Sequence, residues 1–340
     1  MSKSMEIDLL VSGYGGGDTP SISLTKFDDK LRSWDVTWNS YIRASSFLSE
    51  SAGLLFGITE REGCCCVYMY KESVNGYEFL DLIGLECGQL CHVQYLPKNK
   101  LLIGSSYEEG VLFSVEVNGE KFGDVKDYII TDGNLEGESR IHCAITSQGE
   151  EYLFATNIAT DVIYKYHLVS KKLVEVDVLK LPAGSGPRHL VVDDNREMLY
   201  VNTEYSNKII GIRFDEVNLS ICQIISTLPD TYTQESSGSS ICMSDDGRFI
   251  YAANRGHDSI AIFAIDNWGI LECNGYIHCC GHWPRHIALI GSGNYMAIAN
   301  QFSNRVVILK RDAINGLLGD KVKELEIEKP SFVDSINRHI

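Results

Sequence analysis

The chain has 340 residues, with 30 Lys and Arg against 46 Asp and Glu, so its formal net charge is −16. This charge argues against nucleic acid or an anionic membrane as a partner, but not against a small anion that needs only a few arginines. No run of about 18 apolar residues predicts a membrane span, and the first residues lack the apolar stretch of a signal peptide. We therefore expect a cytoplasmic protein.

The 11 cysteines are predicted to be reduced thiols. Cys64, Cys65 and Cys66 are consecutive, which suits no disulfide framework, and no C-x-x-C pair has a matching Cys or His pair elsewhere. We expect no disulfides, no metal and no cofactor.

Six segments share one pattern, an apolar strand, a short polar turn and a second apolar strand. In chain order they are LLFGITEREGCCCV (54–67), LLIGSSYEEGVLFS (101–114), YLFATNIATDVIYK (152–165), MLYVNTEYSNKIIG (198–211), YAANRGHDSIAIF (251–263) and YMAIANQFSNRVVI (295–308). The residues that enter the turns recur every 46 to 51 positions and are Glu60, Tyr107, Ile158, Glu204, Arg255 and Gln301.

A further apolar strand precedes five of these units. These strands lie in LCHVQYLP (90–97), RIHCAITS (140–147), GPRHLVVDD (186–194), GSSICMSDDG (238–247) and HWPRHIALI (282–290). One repeat therefore contains about four strands, which is typical of a propeller blade with a period of about 40 to 50 residues. The sequence predicts an all-β, seven-bladed propeller with four antiparallel strands per blade, forming a single domain over residues 1–340.

The two ends of the chain are predicted to share the first blade. KPSFVDSI (329–336) resembles the first strand of a repeat, and Pro330 follows Pro284 by 46 positions, which is one period. No further strands follow it, whereas the N-terminal segment begins with strands that lack a first one. We expect residues near 330–335 to pair beside strands within residues 6–39 and to close the ring.

Polar side chains are predicted to converge at one mouth of the central channel. The first strand of a blade lines the channel and the second strand returns, so strand-one starts and strand-two ends share a face. This places His92, His142, Arg188 and Arg285 near Glu60, Glu204, Arg255 and Gln301. The simpler interpretation is a water-filled polar channel with Arg–Glu pairs that bridge neighbouring blades.

Several residues next to the three arginines are predicted to have structural roles. Strand alternation turns His189 and His286 away from the channel, so they are expected to pack between blades. His257 and Asp258 are expected to shape the turn after Arg255. We expect Trp283 to pack beside Arg285.

Three stretches, GPRHL…LYVNTEYSN, SDDGRFIYAANRGHDSIAIF and WPRHIA…ANQFSNRVVIL, resemble the lactonase family of seven-bladed propellers. This family includes propeller-type 6-phosphogluconolactonases and 3-carboxy-cis,cis-muconate lactonizing enzymes. The resemblance covers nearly the whole chain, and the N-R-G-H-D-S turn is its most specific element. It implies a catalytic set of His142 (in Ile141-His142), Arg188 (in Pro187-Arg188), Glu204 (16 residues later) and Arg255.

The leading hypothesis is a hydrolase of a sugar-acid lactone in carbohydrate metabolism, most closely a 6-phosphogluconolactonase. Its substrate would be a phosphorylated or carboxylated lactone. Arg285, His92, Glu60 and Gln301 would contribute to binding this substrate, and Arg188 and Arg255 would hold the developing oxyanion or the substrate's anionic group. Either Glu204 or His142 would be the general base. Two alternatives are a cycloisomerase of the muconate type and a non-catalytic propeller that binds a ligand or protein. A monomer or a homodimer is expected.

Overall fold

We describe the protein from a computed structural model. It describes residues 6–15, 17–28, 30, 33–43, 45–61, 64–133 and 136–336; the side chains at positions 60, 61 and 64 lie outside the description. Within these residues the chain forms 28 strands in seven four-stranded antiparallel sheets, with one short 3₁₀ helix at Gln301–Ser303. The predicted seven-bladed all-β propeller is confirmed.

Six blades follow one another in chain order. Blade 2 contains β4 (Leu48–Ser51), β5 (Leu54–Arg61), β6 (Cys64–Ser73) and β7 (Gly76–Leu85); blade 3 contains β8 (Leu90–Leu96), β9 (Leu101–Ser106), β10 (Val111–Asn118) and β11 (Lys121–Ile130); blade 4 contains β12 (Ile141–Thr146), β13 (Tyr152–Asn157), β14 (Val162–Val169) and β15 (Lys172–Lys180). Blade 5 contains β16 (Pro187–Asp193), β17 (Met198–Thr203), β18 (Lys208–Phe214) and β19 (Leu219–Ser226); blade 6 contains β20 (Ser237–Met243), β21 (Phe249–Arg255), β22 (Ser259–Ile265) and β23 (Leu271–His278); blade 7 contains β24 (Pro284–Ile290), β25 (Tyr295–Asn300), β26 (Arg305–Arg311) and β27 (Leu318–Glu326).

Blade 1 is built from both ends of the chain. It contains β1 (Glu6–Gly13), β2 (Ile22–Asp28), β3 (Trp34–Ser40) and, as its innermost strand, β28 (Pro330–Ile336). The last strand pairs antiparallel with β1, with Val333 opposite Val11 and Ile336 opposite Asp8. The predicted ring closure is therefore confirmed, and β28 covers an edge of β1 that would otherwise be open for pairing.

The sequence pattern of each strand follows from its distance to the channel. Second strands such as β17 (MLYVNT) are buried along their whole length because neighbouring blades cover both faces. Outer strands such as β15 (KLVEVDVLK) contain only exposed and half-buried residues because one face meets water. Seven clusters of buried apolar side chains fill the seven gaps between adjacent blades, and the cluster between blades 4 and 5 includes Phe154 and Leu199.

The described cysteines are free thiols, and Cys64 lies outside the described side chains. Among the described residues, no helix has the length and apolar character that crossing a membrane requires.

Candidate active site

A cavity of about 150 Å³ occupies one mouth of the central channel. Five of the residues predicted to converge there line it. These are His142, Arg188, Glu204, Arg255 and Arg285. The remaining wall is formed by Tyr14, Ser46, Phe47, Gln89, Leu90, Cys91, Tyr107, His189 and Ser331.

The innermost strands bring side chains into this cavity through β-bulges. In β16 the pairing register shifts between Pro187 and His189, so Arg188 is an extra residue with no partner on β17. The same shift surrounds His142 in β12 and Arg285 in β24. An extra residue interrupts the alternation of side chains, so two consecutive residues can face the channel.

The bulges correct the prediction for His189 and His286, which do not pack between blades. His189 lines the cavity, and its ring centroid lies 5.1 Å from that of His142 and 6.3 Å from that of His286. The prediction was wrong because it assumed strict alternation from Arg188 and Arg285.

Glu204 joins two arginines from neighbouring blades. It follows the end of β17, and its Oε2 lies 3.0 Å from Nε of Arg188 and 2.9 Å from Nη2 of Arg255. Nη2 of Arg255 also donates a hydrogen bond to the carbonyl oxygen of Gly238 at 2.7 Å. Gly238 in turn donates its N–H to the carbonyl oxygen of Glu204 at 3.0 Å, so backbone and side chains fix the same arrangement.

At this cavity two buried arginine donors have neither a hydrogen-bond acceptor nor a carboxylate partner among the described residues. They are Nη1 of Arg188 and Nε of Arg255, and the two residues are 2% and 5% exposed. A buried donor without an acceptor costs about 1–3 kcal/mol, and more when it is charged. Such donors beside a cavity favour the binding of an anion.

Arg285 reaches the cavity from blade 7. Its Nη2 donates a hydrogen bond to the hydroxyl of Tyr14 at 2.8 Å, and its Cζ lies 5.4 Å from the centre of that ring. Trp283, predicted to pack beside Arg285, contacts Arg255, whose Cζ lies 5.3 Å from the indole centre.

The charges of the cavity sum to about +2, from three arginines and one glutamate. Burial, with the nearby charges of Arg188, Arg285 and Arg255, holds the pKa of His142 well below its usual range, so its imidazole is neutral. Burial and Arg255 lower the pKa of Arg188 to about 9, and Glu204 acts in the opposite direction. The mouth is thus positive in a molecule whose net charge is −16.

Two of the described residues that were predicted at the rim, His92 and Gln301, do not line the cavity. His92 lies deeper in the channel, where it lines a second cavity. It follows the bulge at Cys91, so its place in the blade corresponds to that of His189 and not to that of His142. Gln301 begins the 3₁₀ helix and is absent from the lining. The side chain of Glu60 lies outside the described residues.

Phe47 forms the floor of the cavity and was not predicted from the sequence. Its ring lies 4.5 Å from His92, 5.9 Å from His189, 5.7 Å from His286 and 4.9 Å from Phe332, measured between centroids. The second cavity, of about 230 Å³, lies on the other side of this ring. Tyr107 was also missed as a wall residue, although its place among the turn-entry residues is a signal that could have found it.

Known proteins resemble this chain over most of its length. The family model described as "Lactonase, 7-bladed beta-propeller" matches residues 8–335. A 6-phosphogluconolactonase of Formosa agariphila is 32% identical, covering 92% of this chain and 95% of its own. A 6-phosphogluconolactonase of Bacillus subtilis is 29% identical, covering 78% of this chain and 79% of its own.

Solved structures show the same fold at lower identity. A protein from Lactobacillus plantarum superposes with a TM-score of 0.92 at 21% identity, covering 98% of this chain and 100% of its own. The periplasmic gluconolactonase of Pseudomonas aeruginosa superposes with a TM-score of 0.91 at 20% identity, covering 98% and 99%. With the family model matching nearly the whole chain and the arginine-lined cavity in place, this protein belongs to the lactonase family of seven-bladed β-propellers.

Proposed function

We propose that this protein hydrolyses a sugar-acid lactone in the cavity at the channel mouth, and that 6-phosphogluconolactone fits this site best. The observation that carries the proposal is the excess of positive charge, with arginine donors that lack protein acceptors, around one cavity. Family membership and the two relatives named 6-phosphogluconolactonase support the same substrate class.

Arg285 is assigned to the anionic group that lies away from the reacting carbonyl. Among the described residues its guanidinium makes no ion pair with a carboxylate, and its hydrogen bond goes to the neutral hydroxyl of Tyr14. Guanidinium groups bind phosphate through paired N–H donors. A phosphate at Arg285 would place the lactone ring towards Arg188 and Arg255.

The reaction requires water to add to the ester carbonyl, after which the ring C–O bond breaks. The carbonyl oxygen becomes an oxyanion, which Arg188 and Arg255 stabilise through their buried donors. Glu204 takes a proton from the attacking water, and this proton passes to the ring oxygen as it leaves as a hydroxyl. The product is a hydroxy acid, which loses its own proton to solvent.

Glu204 is the better candidate for the base than His142. Both of its ion pairs use Oε2, and Glu204 is partly exposed to the cavity, with 20% of its side chain accessible. The lowered pKa of His142 makes this imidazole a poor proton acceptor. We assign His142 to hydrogen bonding with the substrate or the attacking water.

The test is hydrolysis of a panel containing 6-phosphogluconolactone, glucono-1,5-lactone and 3-carboxy-cis,cis-muconate, corrected for spontaneous hydrolysis. The expected result is a kcat/KM at least tenfold higher for the phosphorylated lactone. Arg285→Gln should abolish this preference and leave the rate with glucono-1,5-lactone within about twofold.

Arg188→Ala should lower kcat with either lactone by about 10²–10³-fold, or about 2.7–4 kcal/mol, the usual effect of losing one oxyanion donor. Arg305→Ala is the matched control, because it removes an exposed arginine paired with Glu324 on the outer part of blade 7. Full activity of Arg188→Ala would contradict the assignment of the oxyanion site. Turnover of the muconate alone would replace hydrolysis with cycloisomerisation.

A further inference from the structure

The turn N-R-G-H-D-S, whose arginine lines the cavity, is fastened to the next blade by its aspartate. Oδ1 of Asp258 accepts the N–H of Gly256 at 3.2 Å and that of Trp283 at 2.9 Å, while Oδ2 contacts Nδ1 of His282. Gly256 has φ +93°, and a Cβ there would lie 2.7 Å from the carbonyl oxygen of Glu235, so this turn requires glycine. One carboxylate thus links blade 6 to the loop that enters blade 7.

The loop holds Trp283 in an unusual backbone conformation. Trp283 has φ +64°, which is uncommon for a large side chain and persists only where the surroundings impose it. Its N–H is bound by Asp258, and its carbonyl oxygen accepts the N–H of Gln301 at 3.0 Å. The ring of Phe302 stacks on the indole at 4.9 Å with an angle of 20° between the planes.

The indole held in this way lies against Arg255. Cζ of Arg255 is 5.3 Å from the indole centre, within the range of a cation–π contact. Nη2 of the same guanidinium contacts both Glu204 and the carbonyl oxygen of Gly238. These contacts fix one nitrogen only, so the direction in which Nε donates depends on how the guanidinium plane is oriented. A flat ring beside the guanidinium restricts that plane.

We propose that Trp283 is a positioning residue for Arg255, and that Asp258 keeps Trp283 in place. The indole orients the guanidinium so that its unpaired Nε donor serves the cavity. The contact requires an aromatic face, so phenylalanine should replace tryptophan and leucine should not. The effect of Trp283 on kcat, unlike its effect on the geometry of Arg255, rests on the proposed lactone hydrolysis.

The first experiment needs no substrate. Crystal structures of Trp283→Phe and Trp283→Leu are compared with that of the unmodified protein. The distance from Nη2 of Arg255 to Oε2 of Glu204, 2.9 Å here, should persist in the phenylalanine variant. In the leucine variant the guanidinium should turn out of its plane and this distance should increase by 1 Å or more. An unmoved Arg255 in the leucine variant overturns the proposal, whatever the protein hydrolyses.

The second experiment asks whether Trp283 acts through Arg255. Trp283→Leu should lower kcat about tenfold with little change in KM, and Trp283→Phe should restore it to within threefold. In an Arg255→Gln background, Trp283→Leu should have no further effect, because residues that act as a unit are not additive. An equal loss in both backgrounds overturns the proposal. Trp268→Leu is the matched control and should keep full activity, because it removes an exposed indole from the turn between β22 and β23.

Asp258→Ala tests the upstream contact. It should reproduce the crystallographic displacement of Arg255 seen with Trp283→Leu, and Asp258→Asn should not, because the amide oxygen can still accept the N–H of Trp283. Displacement in both variants, or in neither, contradicts this role for Asp258. Absence of any lactone turnover by the unmodified protein would refute the proposed function alone, because the crystallographic comparison does not depend on turnover.

Discussion

In the proposed mechanism Glu204 would combine two tasks, since it would act as the base and it also pairs with two arginines. It is the only acidic side chain that lines the cavity among the described residues, and it lies between Arg188 and Arg255. Removing one member of a buried charge network leaves the others without compensation, which costs about 3–5 kcal/mol. Glu204→Gln would therefore change both the base and the support of the arginines, and its effect on kcat alone would not separate them. For this reason Arg285, which makes no ion pair with Glu204, gives the clearer test.

Four histidines from different blades meet around Phe47 or beside it, and burial lowers the pKa of each. His92, which is 6% exposed, has a pKa lowered by burial from 6.5 to about 3. In the unfolded chain its imidazole binds a proton near pH 6.5, whereas in the folded protein it stays neutral until about pH 3. The unfolded state therefore gains protons first as the pH falls, and stability is lost between pH 6.5 and 3.

His92→Leu should reduce this sensitivity to acid. At pH 5 a histidine with these two pKa values destabilises the folded state by about 2 kcal/mol relative to pH 7. The difference in unfolding free energy between pH 7 and pH 5, measured by urea denaturation, should shrink by that amount in the variant. A difference equal to that of the unmodified protein would show that His92 is not kept neutral by its burial.

Bulged innermost strands determine which residues reach the cavity. Each adds one residue at the same level of the channel, occupied by Cys91, His142, Arg188 or Arg285 in blades 3, 4, 5 and 7. Blade 6 has an irregularity between Gly238 and Ile241 instead. The same framework thus presents a thiol, an imidazole or a guanidinium according to the residue at the bulge.

These bulges also mark the limit of prediction from the sequence. The seven blades and the closing strand could be predicted because strands and turns repeat with one period, and the apolar pattern of each repeat follows from burial. The convergence of His142, Arg188 and Glu204 followed from the topology. A bulge adds a single residue and leaves no comparable pattern in the sequence. The positions predicted for His92 and His189 relative to the cavity were therefore wrong. Phe47 was missed because it lies in a connection between blades, outside every repeat.

Gly238→Ala tests how tightly the blade 6 strand supports the site. An added Cβ would lie 2.2 Å from the carbonyl oxygen of Thr203, and Gly238 hydrogen bonds to both Glu204 and Arg255. We expect a loss of about 1–3 kcal/mol in stability, as for other overpacked sites, together with a fall in kcat. Gly149→Ala is the control, because an added Cβ there meets no atom within 4 Å. Equal stability of the two variants in denaturant titrations would contradict the prediction.

The whole ring depends on a pairing between residues far apart in the chain. Strand β28 contributes Phe332 and Val333 to the apolar clusters on the two sides of blade 1. The hydroxyl of Ser331 also donates a hydrogen bond to the carbonyl oxygen of Ser46 at 2.9 Å, which ties the closing strand to the segment that carries Phe47. Closure therefore stabilises the fold and the floor of the cavity together.

A chain that ends at residue 329 should lose both the stability of the fold and the floor of the cavity. Without β28 the edge of β1 is unpaired and the apolar faces of blades 7 and 2 lose a neighbour, so we expect aggregation and loss of the cooperative thermal transition. Size-exclusion chromatography and differential scanning calorimetry would measure these effects. A chain that ends at residue 336 is the control and should behave as the full chain does. A monomeric, cooperatively unfolding product of the shorter truncation would contradict the role given to β28.

The ring of Phe47 lines both the candidate site and the cavity beneath it, and so lies between them in the channel. We therefore expect the lactone to enter and the hydroxy acid to leave through the same channel mouth. Under the proposed function the new carboxylate would meet the arginines assigned to the substrate, so accumulated product should inhibit competitively and slow the late part of every progress curve.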